Sequence, residues 1–245
     1  AETMGQLALA SGHNIVTVTP GAGGSTTMTF ASNPGFNRTA GATVLFRGTN
    51  LGSTPAANVS TLMFTTAPSL TGAAGAANST TISVIKGAYG DNSLSGTGTD
   101  MVTYNVGNSN GVRRLNATGF SGEYSATIAA NANVKLTGNI AASTQSINSL
   151  TLNGFGITNP GGAVTLTMAS ASLSGNILIN SANDIAGANT TIGITTFELD
   201  ILATANSTIS AIIGTATTGS LALNGSGNIT LSAAAAYTGT TFING

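Results

Sequence analysis

Apolar and polar residues alternate in short bursts along the whole chain. Leu7/Leu9, Val16/Val18, Met28/Phe30, Val44/Phe46, Val134/Leu136, Leu150/Leu152, Val164/Leu166/Met168, Ile177/Ile179, Ile192/Ile194, Phe197/Leu199/Ile201, Leu221/Leu223 and Ile229/Leu231 are spaced by two, with Ser, Thr, Asn or Gly around them. A period of two puts alternate side chains on opposite faces of an extended strand. The bursts are about four to six residues long and return about every 8 to 16 residues across Gly, Asn and Ser turns. Helix-period stripes of ten or more residues do not occur, and the interleaved Thr, Ser and Gly are weak helix formers. The pattern predicts an all-β protein.

Short strands at this spacing suit a sandwich, a barrel or a solenoid. Three features favour the solenoid. Segments such as 220–233 and 147–157 repeat one phrase, apolar-x-apolar followed by Asn-Gly or Gly, as one coil geometry reused would require. Charge is nearly absent from strands that need an outer face, and stacked parallel ladders bring equivalent positions within about 4.8 Å, where like charges repel. Asn153, Asn180, Asn224 and Asn244 are suited to amide ladders in which each residue pairs with its equivalent one coil above. The expected fold is therefore a right-handed parallel β-helix with a loop-rich insertion. Its predicted divisions are N-terminal coils over residues 1–54, a charged insertion over 55–124 packed outside the coils, and regular coils over 125–245. Coils of roughly 20 to 25 residues give about seven to nine turns in a rod of roughly 35 to 45 Å.

Charge changes the functional picture. Six Lys+Arg and seven Asp+Glu make up 5% of 245 residues, against about 25% in an ordinary soluble domain. A net charge of −1 lacks the basic field that displaces counterions, so nucleic acid is not an expected partner. With 41% hydrophobic residues and a mean hydropathy of +0.29 the chain is too apolar for disorder. The absence of cysteine excludes disulfides and thiolate metal sites. No apolar run reaches the roughly 18 residues of a membrane-spanning helix, and the first residues lack a signal-peptide pattern, so a mature or excised segment is expected.

The segment Gly227-Asn228-Ile229-Thr230-Leu231-Ser232, continuing through Tyr237-Thr238-Gly239-Thr240-Thr241-Phe242-Ile243-Asn244-Gly245, resembles the autotransporter-associated β-strand repeat. Ala233 to Ala236 replace the usual Gly/Asn turn of that repeat, and Thr240 replaces its second Gly. Residues 38–46, 96–104 and 111–115 are similar to stretches of the large repeat-rich surface proteins of Gram-negative bacteria that carry it. The resemblance implies a passenger-type β-helix, secreted or displayed at the cell surface.

Catalytic chemistry finds little support. His13 is the only histidine, read as part of a surface turn, and no nucleophile elbow or zinc-binding pair accompanies it. The glycine-rich stretches 21–24 and 96–98 lack a following Lys-Ser/Thr and read as turns. Glu198 and Asp200 flank Leu199 and share one strand face roughly 6 to 7 Å apart. They are the candidate residues of an alternative, carbohydrate-binding or carbohydrate-cleaving reading, set against two solvated charges that interrupt a sticky surface. Arg113 and Arg114 are expected to pair with Asp91, Asp100 or Glu123 rather than bind an anionic glycan. Thr-x-Thr pairs such as Thr165/Thr167 are too irregular for an ice-binding face, which stands as a third reading. The leading expectation is a non-enzymatic, cofactor-free extracellular segment that extends, adheres or assembles. Its partners would be further coils of the same parent chain, surface glycans, or other copies stacked head to tail into a filament through Leu7, Leu9, Phe242 and Ile243.

Overall fold

From residue 133 to residue 244 the chain passes in turn through three parallel sheets. The computed structural model describes residues 1–105, 109–168, 174–187, 189–194, 197–214 and 218–245, and no α-helix occurs among them. The first sheet of this winding holds strands Asn133–Lys135, Ser149–Thr151, Gly175–Ile179, Glu198–Ala203, Ser220–Asn224 and Thr241–Asn244. The second runs from Ile140–Ala141 to Ile229–Leu231, and the third from Gln145–Ile147 to Ile212–Ile213.

Register explains why the alternation is so regular here. Val134, Leu150, Ile177, Ile201, Leu223 and Ile243 are successive partners in the first sheet. Ile140, Ile157, Ile185, Ile209 and Leu231 form the matching column of the second, and Leu166, Ile192 and Ile213 that of the third. The columns meet in one continuous core. Each buried aliphatic side chain contributes about 1.5–3 kcal/mol, so a one-residue slip that turned a column outward would be heavily disfavoured. The asparagine ladder is present at Asn224 and Asn244, whose amides bond at 2.8 Å, while Asn153 occupies a turn at φ 39°.

The N-terminal half forms a winding of the same kind, the first in chain order. Strands Glu2–Met4, Thr26–Phe30 and Ser60–Phe64 stack in parallel, as do His13–Val18, Thr43–Gly48 and Ala88–Asp91, and Leu7–Leu9 pairs with Phe36–Arg38. Its core is aromatic, with Phe30, Phe36, Phe46, Phe64 and Tyr104 in ring contact. The antiparallel pair Asp100–Asn105 and Gly111–Arg114 joins Ala88–Asp91 to Ser60–Phe64, so eight strands form one continuous sheet bent back on itself. Residues 55–124 are therefore not an insertion laid outside finished coils. They supply Ser60–Phe64 and Ala88–Asp91, the third level of this winding, and the hairpin that closes it.

The two windings lie side by side and run in opposite senses. Outward-facing Leu178 and Leu202 of the first sheet pack against Leu45, Ile82, Val84, Tyr89, Met101 and Leu115. The carbonyls of Thr80 and Ile82 accept from Asn133 and Asn148, Gly87 donates to Asn176, Arg38 meets Glu198 and Asp200, and the Gly41 carbonyl accepts from Asn244. Early residues of one winding thus face late residues of the other. The single rod of seven to nine coils is corrected to two shorter windings, because one outer sheet face is apolar enough to need covering.

Candidate functional site

Glu198 and Asp200 project from the same face of their strand, as the spacing predicts, but they are not solvated. Glu198 is 5% exposed and Asp200 0%, because the first winding covers that face. Arg38, at the end of strand Phe36–Arg38, reaches across to both: Nη2 donates to Glu198 Oε1 and, at 3.1 Å, to Asp200 Oδ1. The Gly41 amide donates to Glu198 Oε2 at 2.5 Å, and the Tyr89 hydroxyl donates to the Asp200 carbonyl at 2.9 Å. Burial pushes Asp200 well above the usual carboxylate range, against the pull of Arg38 and with the Glu198 charge adding to the rise. Burial also opposes ionisation of Glu198, but hydrogen bonding from Asp200 and the Arg38 charge outweigh it and hold Glu198 below its ordinary value. The two carboxylates are therefore driven apart in their ionisation, Glu198 down and Asp200 up, with the Lys86 charge acting on them beside that of Arg38. A glycan could reach these carboxylates only by displacing the first winding, so the solvated-charge reading and the open-groove reading both fail on the same burial.

The remaining charges are mostly tied down. Arg113 and Glu123 form a fully buried bidentate pair at 2.6 Å, with the guanidinium 3.7 Å from the Phe120 ring centroid. Arg114 and Lys135 share Asp100 at 2.5 and 2.7 Å. Two of the three pairings expected for Arg113 and Arg114 form, whereas Asp91 instead accepts from Ser93 and the Gly98 amide and caps its own turn. His13 opens a strand rather than occupying a turn; its Nδ1 lies 2.8 Å from the Thr43 hydroxyl, and burial lowers its pKa. Among the described residues no group of three or more His, Asp or Glu is placed to hold a metal ion.

Uncovered core gathers at one end of the molecule. Among the described residues, strand Thr241–Asn244 pairs on one side only there, and so do Glu2–Met4, Leu7–Leu9 and His13–Val18, while Ile140–Ala141 and Gln145–Ile147 end their sheets at the other end. The opposed directions of the windings bring these free edges to the same end, where His13, Ile15, Gly225 and Gly245 line a common groove. Core columns end there uncovered: Met4 continues Phe64–Phe30 and is 47% exposed, and Ile243 continues Ile201–Leu223 and is 80% exposed. Of the four residues expected at an end contact, only Ile243 is freely presented. Leu9 is buried in the first core and Leu7 packs half-buried against it. Phe242 points sideways onto Gly41, where a Cβ would lie 2.3 Å from its ring. Arg38 was the residue missed; the signal for it was the unbroken runs Ile177-Leu178-Ile179 and Ile201-Leu202, which mark a strand buried on both faces.

No helix among the described residues is long and apolar enough to cross a membrane. Comparison with models of known protein families, with curated proteins and with solved structures finds no match.

Proposed function

We propose that the chain is a non-enzymatic, structural and adhesive segment of a secreted or surface-displayed protein, built as paired right-handed parallel β-helices of the autotransporter-passenger type. In-register columns of neutral residues, the scarcity of charge on the outer strand faces and the similarity of residues 227–245 to the autotransporter-associated repeat support this reading. Its working surface is the end at which backbone edges and core columns are both open, so it extends by accepting another coil, either from its parent chain or from a second copy. The observation that carries the proposal is the 80% exposure of Ile243 in a column whose inner members are buried.

The opposed windings alter the expected geometry of self-association. Head-to-tail stacking into a filament needs complementary surfaces at opposite ends, whereas here the uncovered core columns of Met4 and Ile243 share one end. Two copies meeting through the same face form a closed pair. Sedimentation velocity over a range of protein concentrations is expected to show monomers converting to dimers and nothing larger. Met4→Asp with Ile243→Asp should hold the protein monomeric by placing charges on the uncovered columns. Monomers alone at the highest concentration would remove copy-on-copy association, and long filaments by electron microscopy would overturn the shared-end geometry.

A further inference from the structure

A groove of about 480 Å³ opens beside the junction of the two windings, lined by Asp100, Arg114, Tyr124, Lys135, Thr137 and Asn153 among others. That volume falls within the roughly 300–1,000 Å³ of small-molecule sites. Two cations converge here on one carboxylate, and Asp100 uses Oδ1 for Lys135 and Oδ2 for Arg114 and the Thr99 hydroxyl. Arg114 Nε is buried with no partner among the described residues, an expensive state for a charged donor. Lys135 uses one further N–H on the Thr99 carbonyl and remains 23% exposed. The groove therefore carries a surplus positive charge in a protein that has very few charges.

The other walls select the kind of anion. The Tyr124 ring is held in place because its hydroxyl accepts the Met101 amide at 2.8 Å, and the Lys135 ammonium lies 5.3 Å from the ring centroid. Thr137 and Asn153 present an exposed hydroxyl and an exposed amide on the rim. The part of Tyr124 that lines the groove, neutral hydrogen-bonding groups and paired cations match a sugar ring bearing a carboxylate: apolar contact with the tyrosine, hydroxyls for Thr137 and Asn153, and the carboxylate for Arg114 and Lys135. We infer that this groove binds a hexuronic acid residue of an acidic glycan. The inference gives a ligand class to the adhesive part of the reading above and rests on it only there, since the groove lies on the flank and not on the open end.

Titration calorimetry of the whole chain with a galacturonic acid tetramer, a galactose tetramer and inorganic phosphate tests it. The acidic tetramer should bind saturably and more weakly as salt rises, and the neutral one should not. Lys135→Met should weaken binding about tenfold or more, the range for loss of a charge-assisted hydrogen bond. Because Lys135 also braces Asp100, Thr137→Glu on the exposed rim is the second variant: it should weaken binding by like-charge repulsion while leaving thermal unfolding and sedimentation unchanged. Equal binding of both tetramers, phosphate binding as tightly as the acidic tetramer, or no effect of Thr137→Glu would each overturn the proposal. None of these outcomes alters the sedimentation test of end-on association.

Discussion

At the scale of single residues, the chain concentrates its few charges where two windings must be held in register. Glu198 and Asp200, facing Arg38 with the Lys86 charge also acting on them, are shifted in opposite directions, and this fixes how stability follows pH. Asp200 has a raised folded pKa, so the folded state holds its proton more tightly and stability falls as pH rises from the ordinary Asp value near 3.9 toward the folded one. Glu198 has the opposite sign: its lowered pKa contributes stability that is complete above its unfolded value and lost as pH falls through the folded one. Asp200→Asn is therefore expected to stabilise the protein at neutral pH, with the gain disappearing near pH 3, whereas Glu198→Gln should destabilise at neutral pH and converge on wild type in acid. Urea unfolding of both variants from about pH 3 to 8 measures this; parallel pH profiles for the two would contradict the opposite shifts of the two carboxyls. The Arg113–Glu123 pair is a different case. Burial alone would raise the Glu123 pKa, but the Arg113 hydrogen bonds and the amides of Asn116 and Asn78 lower it, so this charge is fully satisfied.

At the scale of strands, alternation was legible in the sequence wherever one face meets a core and the other meets water. Val164/Leu166/Met168 and Leu221/Leu223 became strands Val164–Met168 and Ser220–Asn224 at the positions the pattern indicates. What the alternation could not convey is that outward-facing Leu45, Leu178 and Leu202 have a partner surface, because a period of two says nothing about what covers the second face. The runs Val44-Leu45-Phe46 and Ile201-Leu202 held that information, and the charges beside them explain why Glu198 and Asp200 looked like an accessible pair. Stacking also makes position within a column decisive for stability. Ile201 lies between Ile177 and Leu223 and is fully buried, while Ile243 terminates the same column at 80% exposure. Ile201→Ala should cost about 2–5 kcal/mol through lost burial and a cavity, and Ile243→Ala well under about 1 kcal/mol. Chemical denaturation of the two single variants gives the comparison; equal losses would mean that Ile243 is covered in solution.

At the scale of the whole molecule, the low charge is a consequence of how the surfaces are used. A winding whose outer faces are rows of Thr, Ser and Asn needs no ionic groups to avoid repulsion between levels, and one of those faces is lent to the neighbouring winding instead of to water. Separating the two would expose Leu45, Tyr89, Leu178 and Leu202, at about 1.5–3 kcal/mol each, and would also leave Arg38, Glu198 and Asp200 to be resolvated apart. The apolar part alone, roughly 6–12 kcal/mol, is comparable to the about 5–15 kcal/mol that stabilises a whole domain. Neither winding is then expected to detach while both remain folded. The protein should unfold in one transition, with far-ultraviolet circular dichroism, which reports mostly on strands of both windings, coinciding with tyrosine fluorescence, three of whose four sources, Tyr89, Tyr104 and Tyr124, lie in and beside the first while Tyr237 lies against the other. In Leu178→Ala/Leu202→Ala the coupling is weakened without touching the inward columns, so the two probes should separate, with the tyrosine signal moving apart from the dichroism. Two well-resolved transitions in the wild-type chain would show instead that each winding is stable alone and that their shared face is a docking contact between independent units.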